Sequence, residues 1–91
     1  MSTARLRFAS THPAFAGHFP GAPVVPGALL LAAALDALGL AAAGAHVASA
    51  KFLSPVAPDE DVDASCADGA RLELRVGDRR VATAVLRRAA R

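Results

Sequence analysis

His18-Phe19-Pro20-Gly21-Ala22-Pro23-Val24-Val25-Pro26-Gly27, running straight into Ala28-Leu29-Leu30-Leu31-Ala32-Ala33-Ala34-Leu35-Asp36-Ala37-Leu38, is the stretch that organises this chain. Gly17, Pro20, Gly21, Pro23 and Pro26 preclude regular structure before Gly27 and favour a stiff, well-defined loop. A stiff loop holds a side chain still, and the titratable side chain it carries is His18. Pro26 and Gly27 sit where a helix should open, because proline is pre-set for the first turn, and Gly39 supplies the stop. The spacing predicts about three turns of helix. Apart from Asp36 no face of that helix is polar, so it is expected to be buried all round.

A helix buried on every side needs a sheet to wrap it, and the flanking sequence supplies one. Arg5 to Ser10 alternates in polarity and reads as a short strand, broken at His12-Pro13. Val47 to Val56 reads as a second strand and Asp61 to Ala67 as a third, followed by a tight turn at Asp68-Gly69. Leu72, Leu74 and Val76 alternate with Arg71, Glu73 and Arg75, the pattern of a strand with one buried face. Gly77-Asp78 is a hairpin turn, and Val81 to Leu86 is the last strand. The order is strand, loop, central helix, then an antiparallel meander. No repeat, linker or low-complexity segment divides residues 1–91, so a single α+β domain is expected.

Composition narrows the function classes. Of the 91 residues 54% are hydrophobic and neither Trp nor Tyr is present, so the core must be built from many small aliphatic contacts. A chain this short has a modest core of its own, which makes a partner chain an early expectation. Cys66 is a lone cysteine, without an intrachain disulfide partner or a metal-spaced neighbour, and reads as a small core residue. His12 and His46 read as structural or exposed, and no pair of histidines has metal-ligand spacing. The apolar run after Pro26 is interrupted by Asp36 and Gly39 and falls short of the roughly 20 residues of a membrane span. No secretory h-region follows Met1, so a soluble, cytoplasmic protein is expected. The net charge is +2, with Arg79, Arg80, Arg87, Arg88 and Arg91 crowded near the end of the chain. No aromatic residues interleave with them, which argues against nucleic acid. They form either a solvated strand edge or a docking surface for an acidic or phosphate-bearing partner.

His12-Pro13-Ala14-Phe15-Ala16-Gly17-His18-Phe19-Pro20-Gly21, the Pro26-Gly27 helix start and Lys51-Phe52-Leu53-Ser54-Pro55-Val56, in that order, resemble the FabA/FabZ family of hot-dog-fold 3-hydroxyacyl-[acyl-carrier-protein] dehydratases. The resemblance covers about Arg5 to Leu86. The family's N-terminal helix and strand, which help cover the acyl tunnel, are expected to lack a counterpart in residues 1–91, and chain-length selection stays open. The resemblance implies a curved antiparallel sheet around the central helix and a side-by-side dimer with its active sites at the interface. It also implies an acyl chain presented on the phosphopantetheine of an acyl carrier protein or CoA, and no cofactor of the protein's own. By the same resemblance His18 is the base on the α-carbon and the Gly27 amide polarises the thioester carbonyl. Elementary chemistry agrees: a helix N-terminus offers unpaired N–H groups to a developing enolate oxygen, and histidine titrates near neutrality. The competing reading has His18 hydrogen-bonded to backbone as a loop residue only.

The chain departs from the family pattern on the helix. Where the family carries the Glu or Asp that protonates the departing hydroxyl, this chain has Ala32. One turn later, on the same helix face and about 6 Å along the axis, it has Asp36 where the family has glutamine. Asp36 is either a relocated acid, kept protonated by burial, or a polar interface residue with no catalytic part. Three functions follow. The first is dehydration of a 3-hydroxyacyl thioester to a trans-2-enoyl thioester in fatty-acid, polyketide or aryl-polyene-type synthesis, with His18, Gly27 and Asp36 as the site. The second is a half-site or non-catalytic subunit of a hot-dog heterodimer. The third is a hot-dog thioesterase using Asp36 as base. The expected partners are an acyl carrier protein and a second hot-dog chain, the same or different, or a higher oligomer.

Overall fold

Alternating apolar residues build one sheet, and the apolar run after Pro26 builds one helix. The computed structural model describes residues 2–11 and 24–88. In chain order the elements are β1 (Ser2–Leu6), α1 (Gly27–Ala37), β2 (Ala45–Phe52), β3 (Val62–Ala67), β4 (Arg71–Val76) and β5 (Arg79–Arg88). All pairings are antiparallel and the strand order is β1-β3-β4-β5-β2. Among the described residues, one helix on a five-stranded antiparallel sheet is the α+β, hot-dog arrangement that the sequence predicts.

Register puts the core on one face. Leu6 pairs with Val62, Ala64 with Leu74, Cys66 with Leu72, Leu72 with Ala84, and Leu74 with Ala82. These residues are buried, together with Leu30, Leu31, Ala34 and Leu35 of α1 and Phe8, Val25 and Val56 of the connections. Cys66 is a core residue, as expected. The opposite face carries Arg5 bonded to Asp63 at 2.9 Å, and Glu73 shared between Arg75 and Arg80 at 2.6 and 3.2 Å.

α1 ends as its sequence dictates. Gly39, at φ +73°, takes the left-handed turn. Its N–H donates to the Asp36 carbonyl at 3.0 Å, and the Leu40 N–H donates to the Leu35 carbonyl at 2.9 Å. This is a Schellman stop, and it buries Leu40.

Four expectations need correction. The first strand is Ser2–Leu6 rather than Arg5 to Ser10, because its partner β3 begins at Val62, opposite Leu6. β2 ends at Phe52 rather than Val56, since the Leu53 and Ser54 N–H groups both turn to the Val81 carbonyl, at 2.9 and 3.3 Å. The strands after α1 are not a simple meander: β3, β4 and β5 are, but β2 lies at the far edge beside β5. Nor is α1 buried all round, because the sheet covers one side only, and Ala28, Ala32, Asp36 and Ala37 are exposed.

Two bulges set the curvature. On β5, Leu74 opposes Ala82 while Arg75 opposes Arg80, so Val81 is an extra residue. Val81 and Ala82 are adjacent and both fully buried, which a regular strand forbids and a bulge allows. On β2, Val47 opposes Leu86 and Ser49 opposes Val85, leaving Ala48 as the extra residue.

Candidate functional site

The site is built on the start of α1. Pro26 occupies the N-cap position at φ −58°, and no side chain among the described residues caps the helix. The first intrahelical bond runs from the Leu30 N–H to the Pro26 carbonyl at 3.0 Å. The N–H groups of Gly27, Ala28 and Leu29 have no acceptor among the described residues. Three donors without an acceptor among the described residues, at the positive end of a helix, offer a cradle for negative charge on oxygen. The segment leading into them is fixed by the Val25 N–H donating to the Val56 carbonyl at 2.8 Å.

His18 and the rest of the His-Phe-Pro-Gly loop lie outside the described residues, as does His12. Gly27 is the first residue of α1, as predicted. Ala32 and Asp36 share an exposed face of the helix. Asp36 lies nine residues beyond Gly27, about 13 Å along the axis, and makes no ion pair among the described residues. His46 is exposed on the polar side of β2.

Phe52 is the neighbour of the site that sequence reading missed. Its ring lies against Gly27, so close that a Cβ at position 27 would be 2.7 Å from Cε1 and Cζ. The sequence marks Phe52 only as part of Lys-Phe-Leu-Ser-Pro-Val. Its even phase with Ala50 puts it on the helix side of the sheet, but no local signal names the glycine it meets.

Electrostatics separate two groups of charges. The carboxylates of the β2–β3 connection are engaged. Glu60 accepts from the Ala57 N–H at 2.8 Å and from Arg79 at 3.0 Å, and its carboxyl is held below the usual range chiefly by the backbone bond. Asp61 accepts from Arg7 at 2.9 Å, which holds its carboxyl low. Lys51, Arg71, Arg87 and Arg88 make no ion pair among the described residues. An open trough of about 680 Å³ on the outer face of the sheet is lined by Lys51, Arg71, Glu73, Arg80, Thr83 and Val85, among others, and by no residue of α1. Among the described residues no helix is long and apolar enough to cross a membrane.

The family model for ApeI-like proteins, the ApeI dehydratase, matches residues 1–84. A 3-hydroxyacyl-[acyl-carrier-protein] dehydratase FabZ of Anaeromyxobacter sp. is 40% identical over 74 residues, covering 74% of this chain and 40% of the relative. The FabZ of Haemophilus influenzae is 35% identical over 63 residues, covering 56% of this chain and 43% of the relative. The chain thus spans about two-fifths of the length of the curated relatives it matches. Among solved structures, the dehydratase heterocomplex ApeI:P from Xenorhabdus doucetiae superposes with a TM-score of 0.71 at 22% identity, over 94% of this chain and 86% of that one. An uncharacterised protein from Erwinia carotovora subsp. atroseptica gives 0.64 at 23%, over 94% and 82%. Helix start, sheet order and family match agree, and the chain belongs to the ApeI-like dehydratase family.

Proposed function

We propose that this chain dehydrates a 3-hydroxyacyl thioester, carried on the phosphopantetheine of an acyl carrier protein, to the trans-2-enoyl thioester. The observation that carries the reading is the start of α1, where the Gly27 N–H has no acceptor among the described residues, six positions beyond the last residue of the His-Phe-Pro-Gly sequence. His18 takes the α-proton, and the electron pair flows onto the thioester oxygen facing the Gly27 N–H. When the enolate collapses, the Cα–Cβ double bond forms and the C–O bond breaks. The hydroxyl leaves as water, its proton delivered by a solvent water or, where a second chain covers the exposed helix face and keeps the carboxyl protonated, by Asp36 through a bridging water. The substrate brings its own pantetheine arm, so no resident cofactor is required, and the chemistry belongs with a soluble carrier in the cytoplasm.

The test is His18→Ala. Turnover of a 3-hydroxyacyl thioester should vanish while the assembly keeps its mass; unchanged dehydration overturns the assignment, and release of free thiol by the unaltered protein would make it a hydrolase instead.

The exposed Ala32 favours one further reading of how the site is completed. With no acid at that position, a second hot-dog chain packed on the Ala28, Ala32 and Asp36 face would contribute one. Co-purification with a second short hot-dog protein, and activity only in the mixture, is the signature of a shared site. Full activity of this chain alone excludes it.

The carrier is the acidic partner that the unpaired cations fit. Lys51, Arg71, Arg87 and Arg88, on β2, β4 and β5, are positive groups with no ion-pair partner among the described residues, and long-range attraction of this kind sets on-rate and orientation. Carrier binding should weaken as ionic strength rises past about 0.1 M, where the Debye length is about 10 Å. Arg87→Ala with Arg88→Ala should weaken it several-fold at low salt, and salt-independent binding would count against this surface.

A further inference from the structure

Gly27 is a point of close approach in which the neighbouring group is already visible. A Cβ there would lie 2.7 Å from Cε1 and Cζ of Phe52 and 3.2 Å from Cδ1, so the ring edge rests directly on the glycine. The ring is held from behind. Phe52 pairs with Ala82, and the next N–H, of Leu53, donates to the Val81 carbonyl at 2.9 Å. Despite that anchoring, Phe52 is 55% exposed, whereas Phe8, an ordinary core aromatic, is 7% exposed. One edge of the ring is therefore packed against Gly27 while much of the ring stays exposed, at the helix start whose first N–H has no acceptor among the described residues.

This juxtaposition matches the polarity of an acyl thioester, whose apolar chain is joined directly to an oxygen that gathers charge. We propose that Phe52 is a positioning residue for the acyl thioester. Its ring walls one side of the Gly27 N–H, directs the carbonyl to the open side, and keeps water from the developing enolate. Gly27 is then required by the ring, since any side chain would push the ring from its seat. The inference rests on the dehydratase reading above.

The test uses the full chain in its active assembly, with steady-state dehydration of 3-hydroxyacyl-pantetheine thioesters of several chain lengths and light scattering for the mass. Phe52→Ala should lower kcat about 10- to 100-fold, the usual effect of a misplaced reacting group. KM should change far less, the mass should be unaltered, and Phe52→Leu should recover part of the loss. Gly27→Ala should be harmful alone but add almost nothing in the Phe52→Ala background, where the new methyl meets empty space. A Phe52→Ala protein with wild-type kcat, full additivity of the two substitutions, or activity lost only in step with the assembly would each overturn the proposal. A wild-type protein inactive on every thioester would instead overturn the dehydratase reading itself.

Discussion

Asp36 sits in the last turn of α1, where the partial negative charge of the helix C-terminus disfavours a carboxylate. It is exposed and makes no ion pair among the described residues, so nothing in their packing explains its presence. The role in an assembled site proposed above would supply that explanation. Replacing Asp36 by Asn should leave the fold intact or stabilise it by about 0.3–1 kcal/mol, the ordinary worth of removing an unfavourable helix-end charge. If Asp36 returns the proton, kcat should fall about 100-fold with little change in KM. A kcat equal to wild type would remove Asp36 from the chemistry and leave water or a second chain as donor. At this scale the sequence was legible where a residue acts through its own backbone. Gly27 and Gly39 lie where the helix signals put them. Phe52 was not legible, because its meaning comes from a contact 25 positions away in sequence.

Elements follow the same logic. Period-two alternation located β4, where Leu72 and Leu74 are buried between more exposed neighbours, but it placed the first strand too late in the chain. Strand ends were not legible, because they depend on where a partner strand starts, as with β1 against β3. The bulges at Ala48 and Val81 have no sequence signature, yet they decide which neighbours point inward. Leu74, at 0% exposure in mid-sheet, reports on this core. Leu74→Ala should cost about 2–5 kcal/mol, read as a lower urea midpoint with an unchanged slope. The β2–β3 connection makes a second, pH-dependent contribution. Glu60 and Asp61 have lowered carboxyl pKa values in the fold, so their stabilisation is complete above the unfolded carboxylate range. It is lost as pH falls through the lower folded values. Glu60→Gln should therefore flatten the acid limb of the stability profile and lower neutral stability by less than about 1 kcal/mol, as for a surface pair. An acid limb as steep as wild type would show that the clamp on Ala57 and Arg79 contributes nothing.

For the whole molecule, the expectation that failed is the informative one. A helix apolar on nearly every face was expected to be buried on every side, but one five-stranded sheet covers only the Leu30, Leu31, Ala34 and Leu35 side. Sequence patterning records what a residue is buried by in the assembly, and one chain shows only its own share. The uncovered Ala28 and Ala32 face is not alone. Phe52, Leu53 and Val85 are exposed on or beside β2, which is an edge strand with Lys51 as its only full charge. Natural sheets protect such edges with charges, prolines or bulges, or use them for pairing. β2 has a single bulge and carries no proline, so it is suited to add a strand from a second hot-dog chain and continue the sheet. Ala48 allows a clean test, since it is the extra residue with no Cα partner on β5. Proline there should leave the β2–β5 ladder largely intact while obstructing a strand on the open side. Light scattering should give a lower mass for Ala48→Pro than for the wild-type assembly, with circular dichroism retained. An assembly of unchanged mass and affinity would move the interface away from β2. It would leave the exposed face of α1 as the surface through which two chains complete the site.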